Sequence, residues 1–71
     1  MSRVDITING KASAVDPSAT VADVVRCHGV DEHASGVAVA VNDTVVPKRD
    51  WKARRVAAGD VVEIIRAVQG G

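Results

Sequence analysis

Few side chains in these 71 residues are suited to covalent chemistry: one cysteine, Cys27, with His28 beside it, and a second histidine, His33. Cys27 is a candidate nucleophile or persulfide carrier, but that role needs a lowered thiol pKa, and the end of a helix disfavours the thiolate. The competing reading is a small filler residue. His28 is rotated about 100° from Cys27 on a helix, so the pair does not share a face as nucleophile and base would. It reads as a half-buried histidine ending an apolar stripe, and His33 as a solvated loop residue. Cations crowd at Lys48, Arg49, Lys52, Arg54 and Arg55, with Asp50 the one opposing charge in that run. Such a run is either a solvated face or a docking patch that speeds association with an acidic partner.

A different kind of chemistry is offered by residues without side chains. The sequence closes on "RAVQGG", and Val68, Gln69, Gly70 and Gly71 carry no strand pattern. Four residues extend at most about 13 Å, enough to enter a partner's cleft, and the glycines pass where a Cβ would block the way. The expected reactive group is the carboxylate of Gly71. Ionised at neutral pH, since α-carboxyl groups titrate at about 3.3–3.7, it is a poor electrophile until an oxygen is converted into part of a leaving group. Transfer of AMP from ATP does this, after which a thiol, amine or persulfide can attack the carbonyl carbon. The nucleotide pocket would belong to another protein, and no bound cofactor is expected here. A frayed end is the plain alternative.

The elements that must hold such a tail are legible in the periodicity. "RVDITINGK" alternates Val4, Ile6 and Ile8 with polar residues and then reaches Asn9-Gly10, a pair suited to a type I′ hairpin turn. "ASAVD" returns with Val15 as its one bulky inward residue. Thr20 and Asp23 mark a helix start and Gly29 its close, with Val21, Val24, Val25 and His28 on one stripe over about nine residues. "VDEHASG" reads as a polar loop. "VAVAVN" and "DTVVP" form a second hairpin across Asn42-Asp43, Pro47 ends its edge, and "VVEIIRA" is the last strand. Trp51, the sole aromatic residue, reads as a cover on the sheet's edge, because one ring does not make a nucleic-acid stacking platform.

Composition supports a β-rich domain. Fifteen valines and four isoleucines supply nearly all the bulk, and leucine, phenylalanine and tyrosine are absent. Branching at Cβ suits a pleated sheet better than a helix. One domain of this size is expected to be stable by roughly 4–10 kcal/mol, little margin for a deep polar active site. The net charge is zero, but residues 1–47 carry three basic and six acidic groups and residues 48–71 the reverse. A single cysteine excludes an internal disulfide, and no metal-ligand spacing, signal sequence or membrane-spanning run is present. These observations lead us to expect an α+β chain of the β-grasp, or ubiquitin-like, type: a mixed sheet on one helix over residues 1–67, with a flexible Gly-Gly tail at 68–71. A cytoplasmic monomer without nucleic-acid or membrane partners is the accompanying expectation.

"INGK", "TVADVV", "VAVAVN", "VVPKRDW" and "GDVVEIIRAVQGG" together resemble the ThiS family of thiamine-biosynthesis sulfur carriers, over nearly the whole chain. The closing "AVQGG" and the "VVP" to Trp51 spacing are the most diagnostic. The resemblance implies a protein co-substrate and not an enzyme. Gly71 would be adenylated by a ThiF-like, ubiquitin-activating-type adenylyltransferase, converted to a thiocarboxylate with sulfur from a donor such as a cysteine desulfurase, and read by thiazole synthase. The same end suits the small subunit of molybdopterin synthase, a carrier for cysteine or natural-product pathways, or a ubiquitin-like modifier; a plain interaction module would not need its glycines. The loop of residues 30–36 is longer than the family usually has, and Ala40 stands where an acidic residue is frequent.

Overall fold

The computed structural model describes residues 2–31, 33 and 35–66. Strands β1 (Val4–Ile8) and β2 (Lys11–Val15) form the first hairpin, followed by the helix α1 (Val21–Cys27). Strands β3 (Val37–Val41) and β4 (Thr44–Val46) form the second hairpin, then a 3₁₀ turn at Lys48–Asp50 leads toward β5 (Val61–Arg66). The sheet order is β2-β1-β5-β3-β4. β5 runs parallel to β1 and antiparallel to β3, so the last strand is inserted at the centre between two hairpins that do not otherwise pair. This mixed sheet with one helix is the β-grasp arrangement expected from the sequence.

Alternation decides which face each strand buries. Ile6, Ile8, Val39, Val41, Val62 and Ile64 face the helix, whose Val21, Ala22, Val24 and Val25 close the core. Each such aliphatic side chain, fully buried, contributes about 1.5–3 kcal/mol, which offsets the poor helix propensity of valine. The second strand, thin in apolar residues, is nonetheless paired with β1 over all five of its positions.

The helix is shorter than the stripe suggests, at seven residues, and both its ends are closed by the sequence itself. Asp23 donates its backbone N–H to the Thr20 hydroxyl at 3.3 Å, and its carboxylate accepts the Thr20 N–H at 3.0 Å, a reciprocal capping box. The cap lowers the Asp23 pKa, chiefly through that Thr20 amide. At the other end Gly29, at φ 84°, turns the chain back. Its N–H donates to the Arg26 carbonyl and that of Val30 to the Val25 carbonyl, a Schellman closure. Two expectations are corrected here. His28 is exposed at the C-cap and not half-buried, because the left-handed Gly29 swings the chain so that Val30, read as loop, enters the core instead. Cys27 is exposed and fills nothing.

Trp51 lies deeper than a cover on the sheet's edge. It is 2% exposed within the core, and its indole Nε1 donates to the Val46 carbonyl of edge strand β4 at 2.9 Å. Among the described residues no helix is long and apolar enough to cross a membrane.

Candidate functional site

The expected reactive segment, Val68, Gln69, Gly70 and Gly71, lies outside the described residues, so the structure bears on it through its base. That base is β5. Toward β3 its pairing runs from Val62, opposite Val41, to Arg66, opposite Val37. Toward β1 the register stops at Ile8 opposite Val62, because β1 turns away at Asn9-Gly10.

Asn9 extends the ladder past that point. Its backbone N–H donates to the Val62 carbonyl at 2.9 Å. The next rung of a parallel ladder would bring the Ile64 N–H to the Asn9 carbonyl, but Asn9 is already in the left-handed turn at φ 50°. Its side chain substitutes. Oδ1 accepts the Ile64 N–H at 2.8 Å, and Nδ2 donates to the Ile64 carbonyl at 3.3 Å. Asparagine suits the task because it tolerates φ > 0 and carries a peptide-like amide.

The start of β5 is gripped in a related way by Asn42, at φ 51° in the second hairpin. The Asn42 N–H donates to the Val61 carbonyl at 2.8 Å, and Oδ1 accepts the Val61 N–H at 2.9 Å. Its Nδ2 donates to Oδ1 of Asp60 at 3.1 Å, and the other Asp60 oxygen accepts the Ala57 N–H at 2.7 Å. Asp60 is thereby buried with its oxygens satisfied, as a buried carboxylate requires.

The basic residues divide into two groups. Lys48, Arg49 and Lys52 surround a recess of about 270 Å³ with His33 and Trp51, and the Lys48 ammonium lies 5.8 Å from the centroid of the indole ring. Arg54 and Arg55 lie closer to the start of α1: the Arg54 guanidinium donates to the Arg55 carbonyl, the Arg54 carbonyl accepts the Val21 N–H, and Arg55 bridges Thr20. All five cations are exposed.

Cys27 and His28, separated by rotation in the sequence reading, both line an open groove of about 590 Å³ between β2 and α1. Among the described residues no group of three or more His, Cys, Asp or Glu is placed to hold a metal ion. The sequence reading also missed an apolar set on the sheet face away from the helix. Val61 and Ile65 alternate with the buried Val62 and Ile64, and with Val45 they are 47–68% exposed. The alternation of "VVEIIR" against a buried face carried that signal, masked because both faces are apolar.

The comparisons with known proteins agree with this fold. The ThiS family model matches residues 6–71. No curated protein sequence matches the chain. Among solved structures, the crystal structure of the thiamine biosynthesis protein ThiS from Geobacter metallireducens is 33% identical and superposes with a TM-score of 0.77, covering 96% of this chain and 100% of that one. The NMR solution structure of a thiamine biosynthesis protein from the same organism is also 33% identical, with a TM-score of 0.76 over 96% of this chain and 88% of that one. With a family match over nearly its whole length and a β-grasp sheet built around its last strand, the chain belongs to the ThiS family.

Proposed function

We propose that this chain is a sulfur carrier of thiamine biosynthesis and that Gly71 is the residue modified. A carboxylate oxygen of Gly71 attacks the α-phosphorus of ATP in the pocket of a ThiF-like adenylyltransferase, and pyrophosphate leaves. The outer sulfur of a donor persulfide, such as that carried by a cysteine desulfurase, then displaces AMP at the carbonyl carbon to give an acyl disulfide. A second thiol cleaves its S–S bond, leaving the thiocarboxylate on Gly71 and a disulfide on the donor side, and the thiocarboxylate supplies thiazole synthase. The carrier contributes no catalytic group to these steps. Its part is to deliver a slender end, with Val68, Gln69 and Gly70 as the reach and the glycines as the narrowest portion. Lys48, Arg49, Lys52, Arg54 and Arg55 are a docking patch for an acidic partner surface, acting on association rate.

One observation carries this reading: the family match runs through residue 71 and so includes the Gly-Gly pair. The test is intact mass after incubation with ATP, the cognate adenylyltransferase and a sulfur donor. One oxygen should be replaced by one sulfur, fragmentation should place the change on Gly71, and the Cys27→Ser variant should be modified equally well. Sulfur retained on Cys27, or an unchanged mass with all components active, would sink the proposal.

A further inference from the structure

Asn9 does more than close a turn. Beyond Val62 the β1 side of β5 has no strand partner in register, and the contacts that Asn9 makes with Ile64, at 2.8 and 3.3 Å, hold the strand there instead. These contacts join residues 55 positions apart, two residues before the end of β5. We infer that Asn9 is a positioning residue for the terminal carboxylate: with the β3 ladder, which holds the other side of β5 through Arg66, its amide fixes the point at which the chain leaves the sheet and so the start of the reach of Gly71 into a partner's nucleotide site. The inference deepens the carrier reading and rests on it.

The physical argument is one of reach. Five residues follow Arg66, a span of at most about 17 Å, so fraying of the β1 side of β5 at Ile64 shifts the point from which that limited reach starts when the globule is docked. A displacement of about 1 Å at a reacting atom can lower a rate up to about 100-fold. The basic recess lined by Lys48, Arg49 and Lys52 is separate from the Asn9 contacts, so docking and aim are separable.

Asn42 supplies an internal control. It too sits at positive φ and accepts a β5 amide through Oδ1, but it does so at Val61, at the opposite end of the strand. Glycine at either position keeps φ > 0 and removes the side chain. The experiment compares the wild-type full chain with Asn9→Gly, Asn42→Gly and Asn9→Asp as substrates of the cognate adenylyltransferase, following pyrophosphate release against carrier concentration, with amide exchange measured in parallel. Asn9→Gly should lower kcat about tenfold while KM for the carrier stays within about twofold, as expected for lost alignment without lost docking. It should also speed exchange at Ile64. Asn42→Gly should speed exchange at Val61 and leave kcat within about twofold of wild type. Asn9→Asp keeps the acceptor for the Ile64 N–H and should recover part of kcat. Equal kcat values for the two glycine variants, a change confined to KM, or unaltered Ile64 exchange in Asn9→Gly would each overturn the assignment while leaving the carrier reading intact. A wild-type chain that releases no pyrophosphate would overturn the carrier reading and the positioning role together.

Discussion

The two hairpins use related local chemistry for different ends. Each turns on an asparagine at positive φ whose side chain reaches across to β5. The first pairs Asn9 with Gly10 and grips the exit of the strand, while the second pairs Asn42 with Asp43 and grips its entry. Their outer strands are secured differently. β4 has three residues and is held by the buried Trp51 through the Val46 carbonyl, whereas β2 has five and depends on its ladder, Val15 and a 3.4 Å bond from the Arg3 guanidinium to the Ala14 carbonyl. The entry of β5 is thus set in a network with the buried Asp60, whereas its exit is held by the β3 ladder on one side and, on the β1 side, by the Asn9 amide. The asymmetry is one of partners: the entry is tied to a buried carboxylate, and the β1 side of the exit to a side chain outside the core.

The largest expected effect breaks the β4 side. Trp51→Ala should cost about 3–5 kcal/mol, the range for a large aromatic removed from a core. Against a total of roughly 4–10 kcal/mol, that removes from about a third to all of the stability, read as a lowered midpoint in chemical denaturation at room temperature. A loss below about 1 kcal/mol would show that β4 is held without the indole.

The turns come next. Gly10 sits at φ 83° with open space where a Cβ would project, nothing lying within 4 Å, so Gly10→Ala should cost about 1–2 kcal/mol from conformation alone. Asp43, a non-glycine residue at φ 69°, is the mirror case, and Asp43→Gly should cost nothing or stabilise by up to about 1 kcal/mol. Opposite signs in paired thermal melts sharpen the comparison, and equal losses break it. The smallest effect concerns the helix packed across both hairpins. The capping box lowers the Asp23 pKa, so the ionised carboxylate favours the folded state; its contribution is full above the ordinary value of 3.8 and fades as pH falls through the lower folded value. Asp23→Asn should therefore cost under about 1 kcal/mol at neutral pH, with the gap to wild type closing in acid. A gap that persists at the acid end would assign the loss to something other than the charge.

What the sequence disclosed was local. Alternation in "VDITI" and "VAVAV", the Asn9-Gly10 turn, the Thr20 to Asp23 cap and the Gly29 closure each involve residues within a few positions, and each element appears where its signal lies. What it concealed depends on contacts between distant segments. Nothing near Asn9 announces Ile64, and nothing around Trp51 says that a ring set among cations turns inward to meet the Val46 carbonyl. His28 continued the apolar stripe by spacing, yet the stripe ended at the cap and Val30 took the inward place. The candidate site shows the same division: the basic run was plain in the sequence, while its split into a recess at Lys48, Arg49 and Lys52 and a separate pair at Arg54 and Arg55 follows from the path of the chain.

The central place of β5 also acts as a quality check on the molecule. A copy broken off before this strand would leave two hairpins with no shared partner and a core without Val62 and Ile64, open to proteolysis. Folding and possession of the strand that leads to the C-terminal residues are therefore coupled.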